Sequence, residues 1–450
     1  MPDRRRPPVP LPAAAIVTIP GAYLGAADYL GLPAPGLPPY LLALVFGAAI
    51  VGGAFLLSWG AEAAQVDIGA GLALALLAIM AVLPEYAVDF VFTVEAGRSF
   101  AEQGSCAVQG GGPDPCGLAL ANMTGANRVL VGVGWPLVVL VAGWAAVRRR
   151  EDAAQAPSVP APGQVELPPS MSTEVVFLGI ATLYSLTLPL RTTLTLLDAA
   201  VLVTIFVLYA WRLAKAPASE PDLIGTSQWI GERPTSSRRR WVVGVFVTAA
   251  AIILLTAEHF AESLVETGTD LGIDHFLLVQ WVAPLASESP ELIVACLYAW
   301  RLKASDSLGT LLSSKVNQWT LLVGTIPVVF ALSSVSTHGL PLDGHQRLEL
   351  LITAAQSLFA VSLLLDLRLA RRGAVTLLSL FVVQFGTSIL LPGDVDRVVI
   401  VVISGVYLLA AVVLLARGGR RTLRLVREGT VTSYDDLQER DEERAREVTG

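Results

Sequence analysis

The chain has 450 residues, 54% of them hydrophobic and only 15% charged, and its mean hydropathy is +0.62. Soluble domains carry about 25% charged residues, so the composition argues against a soluble enzyme, a nucleic-acid binder or a secreted disulfide scaffold. The formal charge of −7 says little, because the polar loops and tail contribute much of it, and three cysteines are too few for a framework.

The charges gather in short clusters between apolar runs of bilayer-spanning length. Lipid offers the backbone no hydrogen-bond partners, so each run is read as a helix and the chain as an all-α polytopic membrane protein. The runs lie at roughly 39–60, 68–97, 117–147, 173–190, 194–214, 241–265, 273–300, 308–335, 347–367, 374–391 and 396–416. A weaker run, 12–30, follows Arg4, Arg5 and Arg6 and contains Pro20. It reads either as a twelfth span or as a signal-peptide-like segment.

Positive charge near span ends sets orientation. One face receives Arg4–Arg6, Arg148–Arg150, Lys215 with Arg238–Arg240, Arg301 with Lys303, and Arg368 with Arg371 and Arg372. The other receives little beyond Arg98 and Arg191. With 12–30 as a span, both termini are expected in the cytoplasm, and the expected location is the plasma membrane of a prokaryote.

The expected division is an N-terminal segment 1–38, a first repeat 39–214, a cytoplasmic linker 215–240, a second repeat 241–391, an extra span 392–417 and a charged tail 418–450. A further polar linker, 148–172, is rich in Pro and Ala. The tail, with Asp435, Asp436, Glu439 and Arg440 among its charges, is expected to be helical or disordered, as a solubilising or a regulatory element.

Two segments look alike. Leu83-Pro84-Glu85-Tyr86 sits inside run 68–97, and Ser289-Pro290-Glu291-Leu292 inside run 273–300. Each is preceded by a helix carrying Ala-Glu (Ala61-Glu62, Ala261-Glu262) and followed by a span with internal Asn and then Gly: Asn122, Gly125, Asn127, Gly132 and Gly134 in one, Asn317 and Gly324 in the other. The charge asymmetry makes the two Pro-Glu spans run in opposite directions, so the halves are inverted. Inverted repeats with interrupted helices are the architecture of secondary transporters. Pro84 and Pro290 each remove a helix hydrogen bond. Gly125, Gly132, Gly134 and Pro136 are expected to break the run 117–147 and free carbonyls that can ligate a cation.

At these residues the chain resembles the calcium/cation antiporter superfamily, which includes the sodium/calcium exchangers. That family carries two inverted repeats, each with a Gly-Thr-Ser-Leu-Pro-Glu helix followed by a Gly-Asn-x-x-Gly-Ser-Asn helix. Here the first repeat reads Met80-Ala81-Val82-Leu83-Pro84-Glu85, then Ala121-Asn122-Met123-Thr124-Gly125-Ala126-Asn127. The second reads Ala286-Ser287-Glu288-Ser289-Pro290-Glu291, then Leu312-Ser313-Ser314-Lys315-Val316-Asn317. The resemblance covers roughly 39–391 and implies two inverted five-helix repeats, with extra helices at either end. It also implies cation antiport by alternating access, with Ca2+, Na+ or H+ as transported ions. The departures are Ala81 and Val82 in place of hydroxyl ligands, Glu288 as an additional acid, and Lys315 where the family has small uncharged groups.

The candidate cation ligands are Glu85, Glu291, Asn122, Asn127, Glu288, Asp89, Ser287 and Asn317. A carboxylate at the bilayer centre is costly unless paired or solvated, and marks function. Asp89 lies one turn beyond Glu85, and Glu288 three residues before Glu291. Glu85 and Glu291 are expected to face each other across the repeat axis, or to be buried structural ion-pair members. Hard cations take carboxylate, carbonyl and amide oxygens. The Asn residues are equally readable as helix caps or cross-helix bonds. A buried carboxylate that holds a proton in one state and a metal ion in the other supplies the coupling.

Lys315 is read as a tethered cation in place of a mobile ion, or as a partner of Glu288, or as a snorkelling residue. Arg128 is expected to pair with an acid. Glu258, Glu262, Glu266 and His259 read as an ion access path or a polar lining, and Cys106 with Cys116 as a disulfide in an outer loop. The expected partners are inorganic cations and the lipid bilayer, with no nucleic acid. No phosphate loop, Walker motif or nucleophile triad is present to suggest an enzyme or a cofactor. A channel or a membrane sensor is the competing class.

Overall fold

A computed structural model describes residues 7–67, 83–106, 114–152, 163–216, 223 and 225–449. Nearly every described residue outside short connections is helical. Among the described residues nine helices are long and apolar enough to cross a membrane by length and composition. The expected runs appear as α1 (Pro10–Leu30), α2 (Pro39–Ala64), α3 (Leu83–Gln103), α4 (Pro115–Val129) continuing into α5 (Trp135–Asp152), α6 (Ser172–Ser185), α7 (Leu196–Leu213) and, after a short helix α8 (Gly225–Gly231) within the expected linker 215–240, α9 (Thr235–Leu271). They continue as α10 (His275–Trp300), α11 (Ala304–Asn317), α12 (Val323–Ser334), α13 (Gly344–Leu363), α14 (Arg371–Leu390) and α15 (Gly393–Arg417). The first part of the expected run 68–97, with Met80, Ala81 and Val82, lies outside the described residues.

Local chemistry sets the helix ends. Thr195 and Asp198 form a reciprocal capping box at the start of α7, and Asp343 and Gln346 do the same for α13. Gly31 and Gly272 end α1 and α9 in the left-handed conformation, which only glycine adopts without strain. With 37 residues, α9 is about 55 Å long at 1.5 Å per residue, against a hydrocarbon core of about 30 Å. The expected span 241–265 is its apolar middle.

The chain forms two compact units. The first comprises 1–126, 216–290 and 328–340, and the second 127–215, 291–327 and 341–450. These units draw on both repeats, and three of the five divisions between them fall inside α4, α10 and α12. In the first unit α1, α2 and α9 pack around Leu11, Ala49, Leu56, Leu57, Val245, Ala249, Ile252 and Ile253. The weak N-terminal run is thus part of this unit's core. Glu258 accepts from Tyr29 at 2.6 Å, and His259 lies between Asp28 and Glu262 and stacks on Phe46. These residues of the expected access path tie α9 to α1 and α2. Cys106 and Cys116 are disulfide-bonded as expected.

In the second unit strand β1 (Gln164–Glu166) pairs antiparallel with β2 (Arg368–Ala370), with Val165 opposite Leu369. The tail is helical, as α16 (Gly419–Thr430) and α17 (Tyr434–Thr449), and it is docked rather than fully solvated. Arg212 donates to the carbonyls of Glu428, Gly429 and Thr432, its guanidinium stacks over Tyr434 at 4.7 Å, and the Tyr434 hydroxyl meets that of Thr173 at 3.1 Å. Arg424 and Arg440 both hold Glu428.

Two expected helix breaks take a gentler form. Pro290 lies inside a continuous α10. The glycines at 132 and 134 widen the helix into a π turn, Leu130–Gly134, and do not interrupt it. The second repeat does the same at Gln318–Leu322, directly after Asn317. A π turn shifts the hydrogen-bond register by one residue without exposing a full turn of backbone. That is cheaper in lipid than a break.

Candidate cation site

In the first unit the site begins with the buried stripe of α3. Glu85, Asp89 and Thr93 recur every four residues, and all are at most 3% exposed, whereas Phe90 on the far face is 56% exposed. Helical periodicity on an otherwise apolar span therefore turns two carboxylates inward. Asn122, fully buried on α4, donates its amide to Asp89 Oδ1 at 2.8 Å. Among the described residues, Asp89 Oδ2 and Asn122 Oδ1 are buried acceptors that receive no hydrogen bond. Burying polar oxygens without a donor costs about 1–3 kcal/mol each, and a hard cation is what such oxygens fit.

Helix α4 reaches α10 through Gly125. A Cβ there would lie 1.7 Å from the Gln280 carbonyl oxygen, so no larger residue is accommodated without moving a backbone. Two turns beyond Gln280, α10 carries Ser287 and Glu288, both buried. The Ser287 hydroxyl donates to Ala283 of its own helix, which leaves its lone pairs as acceptors.

The other sequence-predicted residues lie in the second unit. Glu291, partly buried, lies beside Ser314. The π turn after Asn127 reaches the same stretch of α10, since a Cβ at Gly134 would come within 2.8 Å of Leu292 Cδ2. Asn127 and Asn317 are fully buried. Asn127 is engaged by Lys315, whose ammonium donates to its side-chain oxygen at 2.6 Å and its backbone oxygen at 3.1 Å. Lys315 is itself fully buried and lies 4.7 Å from the Trp319 ring centre. Snorkelling is thereby ruled out. Glu85 belongs to the first unit and Glu291 to the second.

Arg128 pairs with an acid as expected. It donates to Glu349 of α13 and to Gln384 of α14. His345 lies 3.7 Å from Glu349. Sequence reasoning passed over Glu349 and Gln384. The available signal was the rule already applied to Glu85, a polar side chain inside an apolar span.

Carboxylates and amides buried in the spans of two inverted repeats mark an ion-transport architecture. The family model of the sodium/calcium exchanger protein matches residues 39–215 and 241–416. The crystal structure of the H+/Ca2+ exchanger CAX superposes with a TM-score of 0.80 at 38% identity, covering 95% of this chain and 98% of that one. The structure of native YfkE shares the fold, with a TM-score of 0.58 at 15% identity, covering 84% of this chain and 100% of that one. No curated protein sequence matches the chain significantly. The chain belongs to the sodium/calcium exchanger family. It is a multi-pass membrane protein of the cation-antiporter class, built on two inverted five-helix repeats with additional terminal helices.

Proposed function

We propose that this protein is a secondary-active antiporter that exchanges Ca2+ for H+ by alternating access, with Na+ as the other ion of the same class. Glu85, Asp89, Glu288 and Glu291 are its cation-binding and proton-exchanging groups, and Asn122, Ser287 and Asn317 supply neutral oxygens. The observation that carries this reading is the pair of buried oxygens on Asp89 and Asn122, beside the Glu85 stripe, that receive no hydrogen bond among the described residues. The 38% identity to a protein described as an H+/Ca2+ exchanger supports calcium and protons as the ion pair. Protons and calcium then compete for the same carboxylates, so that each carboxylate releases one as it takes the other. The Lys/Arg asymmetry supports both termini on the cytoplasmic side of a prokaryotic plasma membrane.

The test is calcium uptake into proteoliposomes carrying an imposed proton gradient. The native chain accumulates calcium and dissipates the gradient, and Glu85→Gln and Glu291→Gln each abolish both. Wild-type rates in either variant refute the site. Calcium flux without proton counterflow refutes antiport in favour of a channel.

A further inference from the structure

The Asn127 oxygens look like cation ligands, yet a side chain of the protein already occupies them. Amide and backbone carbonyl converge on a single atom, Lys315 Nζ, at 2.6 and 3.1 Å. Donor and acceptors are completely buried. The Trp319 ring, its centre 4.7 Å from the ammonium, adds a second electron-rich contact. Asn127 stands at the end of α4, where the following π turn shifts the backbone register. Its side chain and main chain thus present two oxygens to one point.

The two repeats differ at this position. Counting back two residues from the last Asn gives Gly125 in the first repeat and Lys315 in the second. Gly125 has no room for a side chain, because the Gln280 carbonyl lies against it. Only one of the two related positions carries a charge. An ammonium has one unit of positive charge and is held by the same neutral oxygens that bind small monovalent cations. Unlike a mobile ion it cannot leave, because a four-carbon stem anchors it to α11.

We propose that Lys315 is a resident cation that holds the Asn127 oxygens in place of a mobile monovalent ion, and so fixes which ions this carrier moves. The proposal rests on the cation-antiport reading for its consequence, but not for its test. Removing the ammonium opens a site for a sodium- or ammonium-sized cation, whereas the native chain has none there. Asn127 accordingly belongs to Lys315, not to the transported metal.

The first measurement is thermal unfolding of purified protein in detergent, with sodium chloride or ammonium chloride against N-methylglucamine chloride at equal ionic strength. Lys315→Ala and Lys315→Met, the latter keeping the apolar stem, are expected to be stabilised by sodium or ammonium and not by the bulky cation. The native chain is expected to show no such preference. A variant with no small-cation preference, or a native chain with the same preference as the variants, overturns the proposal. This readout does not require transport, so it stands apart from any failure of the antiport reading.

The second measurement is calcium exchange in proteoliposomes free of sodium, potassium and ammonium. The native chain is expected to run at its full rate. Lys315→Ala is expected to be slower by roughly tenfold and restored by added sodium or ammonium, within the ordinary range of coupling between two ligands. A native chain that needs a monovalent cation overturns the proposal even if no variant folds. So does a variant whose lost exchange no small cation restores.

Discussion

Asn122 holds Asp89 by one hydrogen bond of 2.8 Å between α4 and α3, and in doing so leaves one buried oxygen on each partner without a donor among the described residues. The bond joins two helices one turn from Glu85, at the surface proposed to bind the cation. Asn122→Ala removes both a proposed ligand and the group that orients Asp89. Losing such a partner costs about 1.4 kcal/mol or more, so the KM for calcium is expected to rise about tenfold in proteoliposome exchange with the protein still folded. Asp89→Asn is expected to lose exchange more completely, because the titratable group itself is gone.

The buried pair of Arg128 and Glu349 is a structural tie with a measurable signature. Removing one partner of a buried pair strands the other charge and costs about 3–5 kcal/mol. Glu349→Ala is expected to lower the unfolding temperature in detergent sharply. The double variant Arg128→Met, Glu349→Leu is expected to recover much of the loss, because neither charge is then left alone. A double variant no more stable than Glu349→Ala contradicts this account.

Arg212 fastens the tail by three carbonyls and a stacked tyrosine. Arg212→Ala is expected to release residues 419–449 from the second unit. Limited trypsin digestion should then cut among Arg420, Arg421, Arg424 and Arg427 at least severalfold faster than in the native chain. Unchanged digestion kinetics would show that α16 and α17 dock without this residue.

Asp67, just beyond α2, receives the Arg238 guanidinium at 2.7 and 2.8 Å, and that hydrogen bond holds its carboxyl below the usual carboxylate range. The sign follows from linkage. A depressed folded value contributes stability above the unfolded value of about 4, lost as pH falls through the folded one. The stability difference between the native chain and Asp67→Ala is therefore expected to stay constant from pH 8 to about pH 5 and to shrink only in stronger acid. A difference that fades near neutrality would point to another titrating group.

Much of this protein was legible along the chain. Lipid forces every spanning segment to satisfy its own backbone, so apolar run lengths alone located the helices, and charge asymmetry with the duplicated Pro-Glu segments exposed the inverted repeat. Glu85, Asp89, Glu288 and Glu291 stood out because an acid in an apolar span is costly, and that cost is a property of one residue and its neighbours in sequence. Packing decided the rest. Gly132 and Gly134 could not announce whether they break a helix or widen it by one residue, since the outcome depends on what Leu292 and its neighbours press against. The partners of Arg128 came from helices more than 200 residues away. Lys315 was conspicuous in the sequence, but three readings of it were open. Only the tertiary structure, by bringing Asn127 across 188 residues to its ammonium, showed which oxygens that charge meets.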